Sequence, residues 1–171
     1  MKKVIFILSL VAIFTVQNTK AQMNAKSIVE IASSTADFST LVTALQAADL
    51  VGALQGDGPF TVFAPLNSGF AKIDSKTLNS LLEPENKEQL SAILTYHVVA
   101  GKLTAADVAK ALKAGKGKVE LTTLNGATLT AVSKDGGIYL MDQKGNYSMI
   151  AKTDVMASNG VIHVINDVVM P

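Results

Sequence analysis

The run Lys118-Val119-Glu120-Leu121-Thr122-Thr123-Leu124-Asn125-Gly126-Ala127-Thr128-Leu129-Thr130-Ala131-Val132 is where the pattern of this chain changes. Val119 and Leu121 alternate with Glu120 and Thr122, the period of two expected of a half-buried strand. Asn125-Gly126 supplies the turn chemistry of a hairpin, and Thr128 to Val132 forms its second arm. Downstream the same signals recur. Asp135-Gly136 leads into a strand over Ile138 to Met141, Lys144-Gly145-Asn146 breaks before Tyr147 to Lys152, and the last strand is Val161 to Ile165. Upstream the period is helical instead. Phe38, Leu41, Val42 and Leu45 recur at i, i+3, i+4 and i+7 and place one apolar stripe on a helix to about Ala48, with Asp37 as its cap.

The rest of the first half follows these two readings. Ser27-Ile28-Val29-Glu30 and Thr104-Ala105-Ala106-Asp107 fit capping boxes that open helices over Ile28 to Ser34 and Ala105 to Leu112. Phe60 to Ala64, fenced by Pro59 and Pro65, reads as a short buried strand. Asn67 is placed as the N-cap of a short helix carrying Phe70 and Ile73 inward. Pro84 suits the first turn of a helix that buries Leu90, Ile93 and Leu94 and exits through Thr95-Tyr96-His97-Val98-Val99, read as a strand. Helices first and strands second, with no Pro/Ser linker between them, predict one α+β domain: a meander or sandwich of strands capped by N-terminal helices.

With 171 residues there is room for one globular domain, and 49% hydrophobic against 17% charged residues excludes a disordered chain. Met1-Lys2-Lys3 followed by an apolar run from Val4 to Val16 reads as a signal peptide, too short to cross a bilayer. Thr19-Lys20-Ala21 offers small residues at −3 and −1, so cleavage is expected after Ala21, leaving residues 22–171 as the domain and Gln22 as the mature N-terminus. A secreted or periplasmic location follows, with no membrane span in the mature chain. Cleavage removes Lys2, Lys3 and Lys20 and leaves twelve lysines against fourteen acids, with no arginine. A near-neutral chain without arginine argues against nucleic-acid binding and against bidentate anion clamps. With no cysteine in the chain, neither disulfide staples nor a lipid anchor on cysteine is available.

Three segments, in order, resemble the fasciclin domain of secreted and cell-surface proteins: Gly58-Pro59-Phe60-Thr61-Val62-Phe63-Ala64-Pro65 with Asn67 and Phe70; the Tyr96-His97 pair within Ile93 to Val99; and Ala157-Ser158-Asn159-Gly160-Val161-Ile162-His163-Val164-Ile165, closing with Val168-Val169-Met170-Pro171. The resemblance spans about Ser27 to Pro171. It implies a wedge of two packed β-sheets flanked by helices, and a role in adhesion or surface interaction. Family members usually carry Thr at the place of Leu66 and Asp at the place of Asn166. Some animal members use an Asp-Ile pair just upstream of the last segment, and Asp154-Val155 stands in that place. By this analogy Tyr96, His97, Asp154, Val155 and Asn67 are the candidate binding residues.

No catalytic constellation is legible. No Gly-x-Ser-x-Gly elbow accompanies the two histidines, His97 and His163, and each reads as a core residue between apolar neighbours on a strand. Gly56-Asp57-Gly58 and Gly115-Lys116-Gly117-Lys118 lack the remaining residues of a dinucleotide or phosphate loop and read as turns. Met149, Met156 and Met170 could join His163 as soft ligands, but methionine more commonly fills cores, so no metal site and no cofactor are expected. Lys102, Lys110, Lys113, Lys116 and Lys118 form a basic stretch read as a solvated face, with an anionic polysaccharide or a lipid headgroup as the alternative. Asn146-Tyr147-Ser148 matches a glycosylation sequon and marks an exposed turn. The expected function is therefore an exported, non-enzymatic adhesion module for a protein or polysaccharide of the cell surface or matrix. The alternatives are a periplasmic small-ligand or metal-binding protein and, last, a hydrolase.

Overall fold

The computed structural model describes residues 25–171, so the expected signal peptide, its cleavage site and Gln22 lie outside the described residues. Seven α-helices and seven strands follow one another along these residues, the helices concentrated in the first half: α1 (Ile28–Ser33), α2 (Ser39–Ala47), α3 (Val51–Gln55), β1 (Phe60–Pro65), α4 (Asn67–Phe70), α5 (Ser75–Leu81), α6 (Lys87–Tyr96), β2 (Val98–Ala100), α7 (Ala105–Ala114), β3 (Lys118–Thr122), β4 (Thr128–Lys134), β5 (Gly137–Met141), β6 (Tyr147–Ala157) and β7 (Gly160–Ile165). The α+β expectation holds. Both capping boxes form, at Ser27 with Glu30 and at Thr104 with Asp107. All three hairpin breaks fall where expected, with Gly126, Gly136 and Gly145 at positive φ.

The strands make one seven-stranded sheet in the order β2-β1-β7-β6-β5-β4-β3. From β3 to β7 it is the expected antiparallel meander. The chain's first strand then inserts parallel to the last, Phe60 to Gly160 through Pro65 to Ile165, and β2 closes the far side antiparallel to β1. An isolated bridge between Val99 and Thr123, backed by a 2.7 Å bond from Leu124 N to Val98 O, ties the two edges together. The two packed layers of the wedge are thus halves of one ribbon curled nearly into a barrel. β6 serves both halves: its N-terminal part pairs with β5 and the rest with β7, across register shifts between Ile150 and Lys152 and between Lys152 and Val155.

Two cores result. In one, α1, α2 and α6 bury Ile28, Leu41, Leu45, Ile93 and Leu94 against Val62, Ile162 and Val164 on the outside of β1 and β7. In the other, inside the curl, Phe63, Tyr96, Leu129, Leu140 and Ile165 pack with Val108 and Leu112 of α7. No helix of the described residues is long and apolar enough to cross a membrane.

Four local expectations need correction. Asp37 does not cap α2: it sits inside a 3-10 turn, Ala36–Phe38, that precedes the helix. Asn67 is the first residue of α4 and caps nothing there; its side chain reaches across to α2 instead. His97 lies on no strand but is the C-cap residue of α6, directly before β2. β6 runs to Ala157, well past Lys152, because its bulges let pairing resume where strict alternation fails.

Candidate functional site

Tyr96 and His97 end α6 deep between the two cores, and neither ring reaches solvent. The Tyr96 hydroxyl donates to Thr128 O at 2.9 Å, which ties α6 to β4. Burial, with the Asp142 charge nearby, raises its pKa above the ordinary tyrosine value. His97 Nδ1 faces Ile93 O at 2.8 Å, and Nε2 lies 3.2 Å from Val169 N. A carbonyl requires a donor and an amide an acceptor, which assigns the neutral Nδ1–H tautomer. Loss of hydration pushes its pKa down to about 4. The pair therefore joins α6, the hairpin strands and the C-terminal segment.

His163 does comparable work on β7. Nδ1 accepts from Asp154 N at 3.4 Å, Nε2 donates to Leu103 O at 2.7 Å, and the ring stacks on Phe63 with centroids 5.7 Å apart. Asp154, at φ 57° in the irregular part of β6, turns its Oδ1 onto Ala105 N at 2.8 Å, the first amide of α7. Thr61 completes this cluster: its hydroxyl donates to Gly101 O and accepts from Leu103 N. Thr61, Asp154 and His163 together fasten the connection from β2 into α7. Both nitrogens of His163 are thus occupied, and neither histidine is hydrogen-bonded to a serine. Among the described residues no group of three or more His, Cys, Asp or Glu side chains could hold a metal ion.

Asn67 accepts from Thr40 N through Oδ1 and donates through Nδ2 to Ala36 O and Ser39 Oγ, so it caps α2 from a neighbouring element. Asn159 has the same task on the other side: its Oδ1 takes Ile28 N at the start of α1, and its Nδ2 donates to Leu54 O and Gly56 O. The sequence reading gave Asn159 no role, although it stands in the third quoted segment. Asp142, buried at the turn between β5 and β6, accepts from Lys144 N, Asn146 N, Asn146 Nδ2 and Met170 N, and so fastens the C-terminus.

Of the five candidate binding residues, the structure brings Asp154 and Val155 to a partly exposed edge and leaves Tyr96 and His97 in the interior. Asn67 is half-buried and fully engaged. What the sequence reading missed is β6. Tyr147, Met149 and Met156, exposed by 45%, 41% and 50%, are three of the four exposed large hydrophobic residues among those described, and all belong to this strand. Lys134 of β4 lies 5.1 Å over the Tyr147 ring. The one legible sign of this surface was that Tyr147 and Met149 occupy alternate positions, two residues apart, on a predicted strand.

Residues 36–171 match the family described as Fasciclin domain. Protein sll1483 of Synechocystis sp. is 50% identical to this chain over 148 residues, covering 86% of it and 75% of that protein. Transforming growth factor-beta-induced protein ig-h3 of Sus scrofa is 37% identical over 148 residues, covering 86% of this chain but 19% of that much longer one. Among solved structures, a FAS1 domain pair from the insect cell adhesion molecule Fasciclin I superposes with a TM-score of 0.75 at 19% identity, over 85% of this chain and 51% of that one. That likeness extends to the fold.

Proposed function

This chain belongs to the fasciclin domain family, and on that footing we propose that it is an exported, non-enzymatic adhesion or surface-interaction module that engages a protein or glycan of the cell surface or matrix through β6. One observation carries the reading: β6 displays Tyr147 and Met149 to solvent on one face and, beyond its register shifts, Met156 on the other, with the Asp154-Val155 bulge between them. Exposed aromatic and thioether side chains beside a polar group are the composition expected of an interface core. Asp154 Oδ1 is committed to Ala105, so this residue also holds the strand against α7. Tyr96, His97 and Asn67 act in this reading as positioning residues that keep the backbone behind the surface rigid.

Export belongs to the same proposal: cleavage after Ala21 releases a domain of residues 22–171, and sequencing the N-terminus of protein recovered outside the cytoplasm should read Gln22 first. The adhesion reading is tested by coating a surface with the purified protein and counting retained cells of the source organism. Replacing Tyr147, Met149 and Met156 together by Ser should lower the retained count several-fold while the fold, followed by circular dichroism, is kept. Equal retention by parent and triple variant would remove β6 from the proposal. No retention above an uncoated surface would remove adhesion itself.

A further inference from the structure

On the opposite side of the sheet from Tyr147 and Met149, a groove of about 280 Å³ opens between α7 and the hairpin of β4 and β5. Ala109 and Leu112 of α7 and Ile138 of β5 give it an apolar floor, while Lys113, Gly117 and the exposed Ser133 form the rest of its lining. Its walls are held by backbone bonds from Gly117 N to Leu112 O at 2.7 Å and from Ser133 N to Gly117 O at 2.8 Å. Among the lysines only Lys113 lines the groove: Lys110 lies one turn before it on α7, Lys116 adjoins Gly117, and Lys118 alternates with the inward-facing Val119 and so points to the outer face of the sheet.

The described residues form two ion pairs, Lys72 with Asp167 and Lys87 with Asp49, and neither involves these four lysines. Two of the three acids nearest in sequence are otherwise placed. Asp107 is bound into the capping box of α7, and Asp135 sits in the turn beyond β4. Glu120, on β3, alternates with the buried Leu121 and so points to the outer face of the sheet. Asp107 also lies within the field of Lys110, whereas Lys113 forms no ion pair among the described residues, so the groove combines an apolar floor with the Lys113 ammonium at its rim. That pairing is complementary to an amphiphile with an anionic head and a hydrocarbon tail. Pockets that hold small ligands begin at roughly 300 Å³, so this one suits a short tail.

We infer that the groove between α7 and the β4–β5 hairpin binds a free medium-chain carboxylate, its tail on Ala109, Leu112 and Ile138 and its head at Lys113. The reading is independent of β6. The test titrates the full protein with octanoate, 1-octanol and inorganic phosphate, following binding by calorimetry and by the amide resonances of Gly117 and Ser133. Octanoate should bind saturably at one site, octanol more weakly, and phosphate should not compete. Lys113→Gln should weaken octanoate about fivefold, the scale of one exposed charge pair, and Lys113→Glu further. Ala109→Phe should block binding by filling the floor. Absence of saturable binding overturns the inference. So does competition by phosphate, which would make the site a reader of charge alone, or octanoate binding that both Lys113→Gln and Ala109→Phe leave unchanged. Lys113 is exposed, so its variants remain decisive if Ala109→Phe does not fold.

Discussion

Acidification should destabilise this protein well before its carboxylates titrate, and His97 is the reason. Its ring is fully buried and neutral, with Nδ1–H given to Ile93 O and Nε2 taking Val169 N. A proton on Nε2 would face the Val169 amide proton and would have to be held without hydration, so the folded pKa lies at about 4 against the ordinary 6.5. The unfolded chain therefore binds this proton first. Above pH 6.5 the residue imposes no penalty; as pH falls from there toward 4, stability is lost progressively. Two pH values follow from the two constants: roughly 1 kcal/mol is lost on going from pH 7.5 to 5.5, and roughly 2–3 kcal/mol by pH 4.5. The capping carboxylates of Glu30 and Asp107, whose pKa values are lowered by hydrogen bonds to Ser27 and Thr104, begin to lose their contribution only near their ordinary values of 4.5 and 3.8, at the acid end of this window and below it. Urea unfolding at pH 7.5 and 5.5, at fixed ionic strength, should show the parent losing roughly 1 kcal/mol more than His97→Gln, which cannot protonate but can still meet both backbone partners. An identical loss in parent and variant would refute the assignment of a buried neutral ring.

Three further outcomes follow from the contacts. His163→Ala removes the bonds to Leu103 O and Asp154 N and the stack on Phe63; about 3 kcal/mol is at stake, or roughly 6–12 °C in Tm by thermal circular dichroism, and an unchanged Tm would contradict its structural role. Asn159→Ala leaves Ile28 N, Leu54 O and Gly56 O without their partner, and urea unfolding should report a loss of about 2 kcal/mol. At Gly160 an added Cβ would stand 2.0 Å from Phe60 O and 2.9 Å from Ile28 Cδ1, so Gly160→Ala should separate β1 from β7 and give no soluble folded protein; a parent-like melting curve would show that this approach can relax.

The elements that were legible in the sequence are those with local causes. Capping boxes, Asn-Gly and Asp-Gly turns and the switch in hydrophobic period act within a few residues, and the corresponding helices and hairpins form as read. Contacts made over long separations were not legible. The parallel pairing of β1 with β7 joins residues about a hundred positions apart, and nothing in Phe60 to Pro65 announces its partner. Asn67 carried the residue type of an N-cap and is indeed a cap, but of α2 rather than of the helix it begins. His97 read as a strand residue because its neighbours are apolar; the apolar surroundings belong to a helix end wedged between two cores. Of the candidate site, the residue types carried no sign of which would be buried, since Tyr96, His97 and Asp154 can equally serve a partner or the protein's own backbone.

That backbone service has a consequence for where recognition resides. Asn67, His97, Asn159 and His163 spend their polar atoms almost entirely on main-chain groups of other elements, Asn67 adding the Ser39 hydroxyl. Each therefore specifies how helices and strands meet, with every side-chain nitrogen and oxygen already hydrogen-bonded inside the domain. The quoted family segments are, in this chain, the fold's internal fasteners. Selectivity must then come from positions that those fasteners hold steady without being part of them. β6 is bulged and carries solvent-facing Tyr147, Met149 and Met156, and the groove beside α7 with Lys113 at its rim is equally outside the three segments. Substitutions there leave the helix caps and the β1–β7 pairing untouched, so two proteins of this fold can share every fastener and still bind different partners.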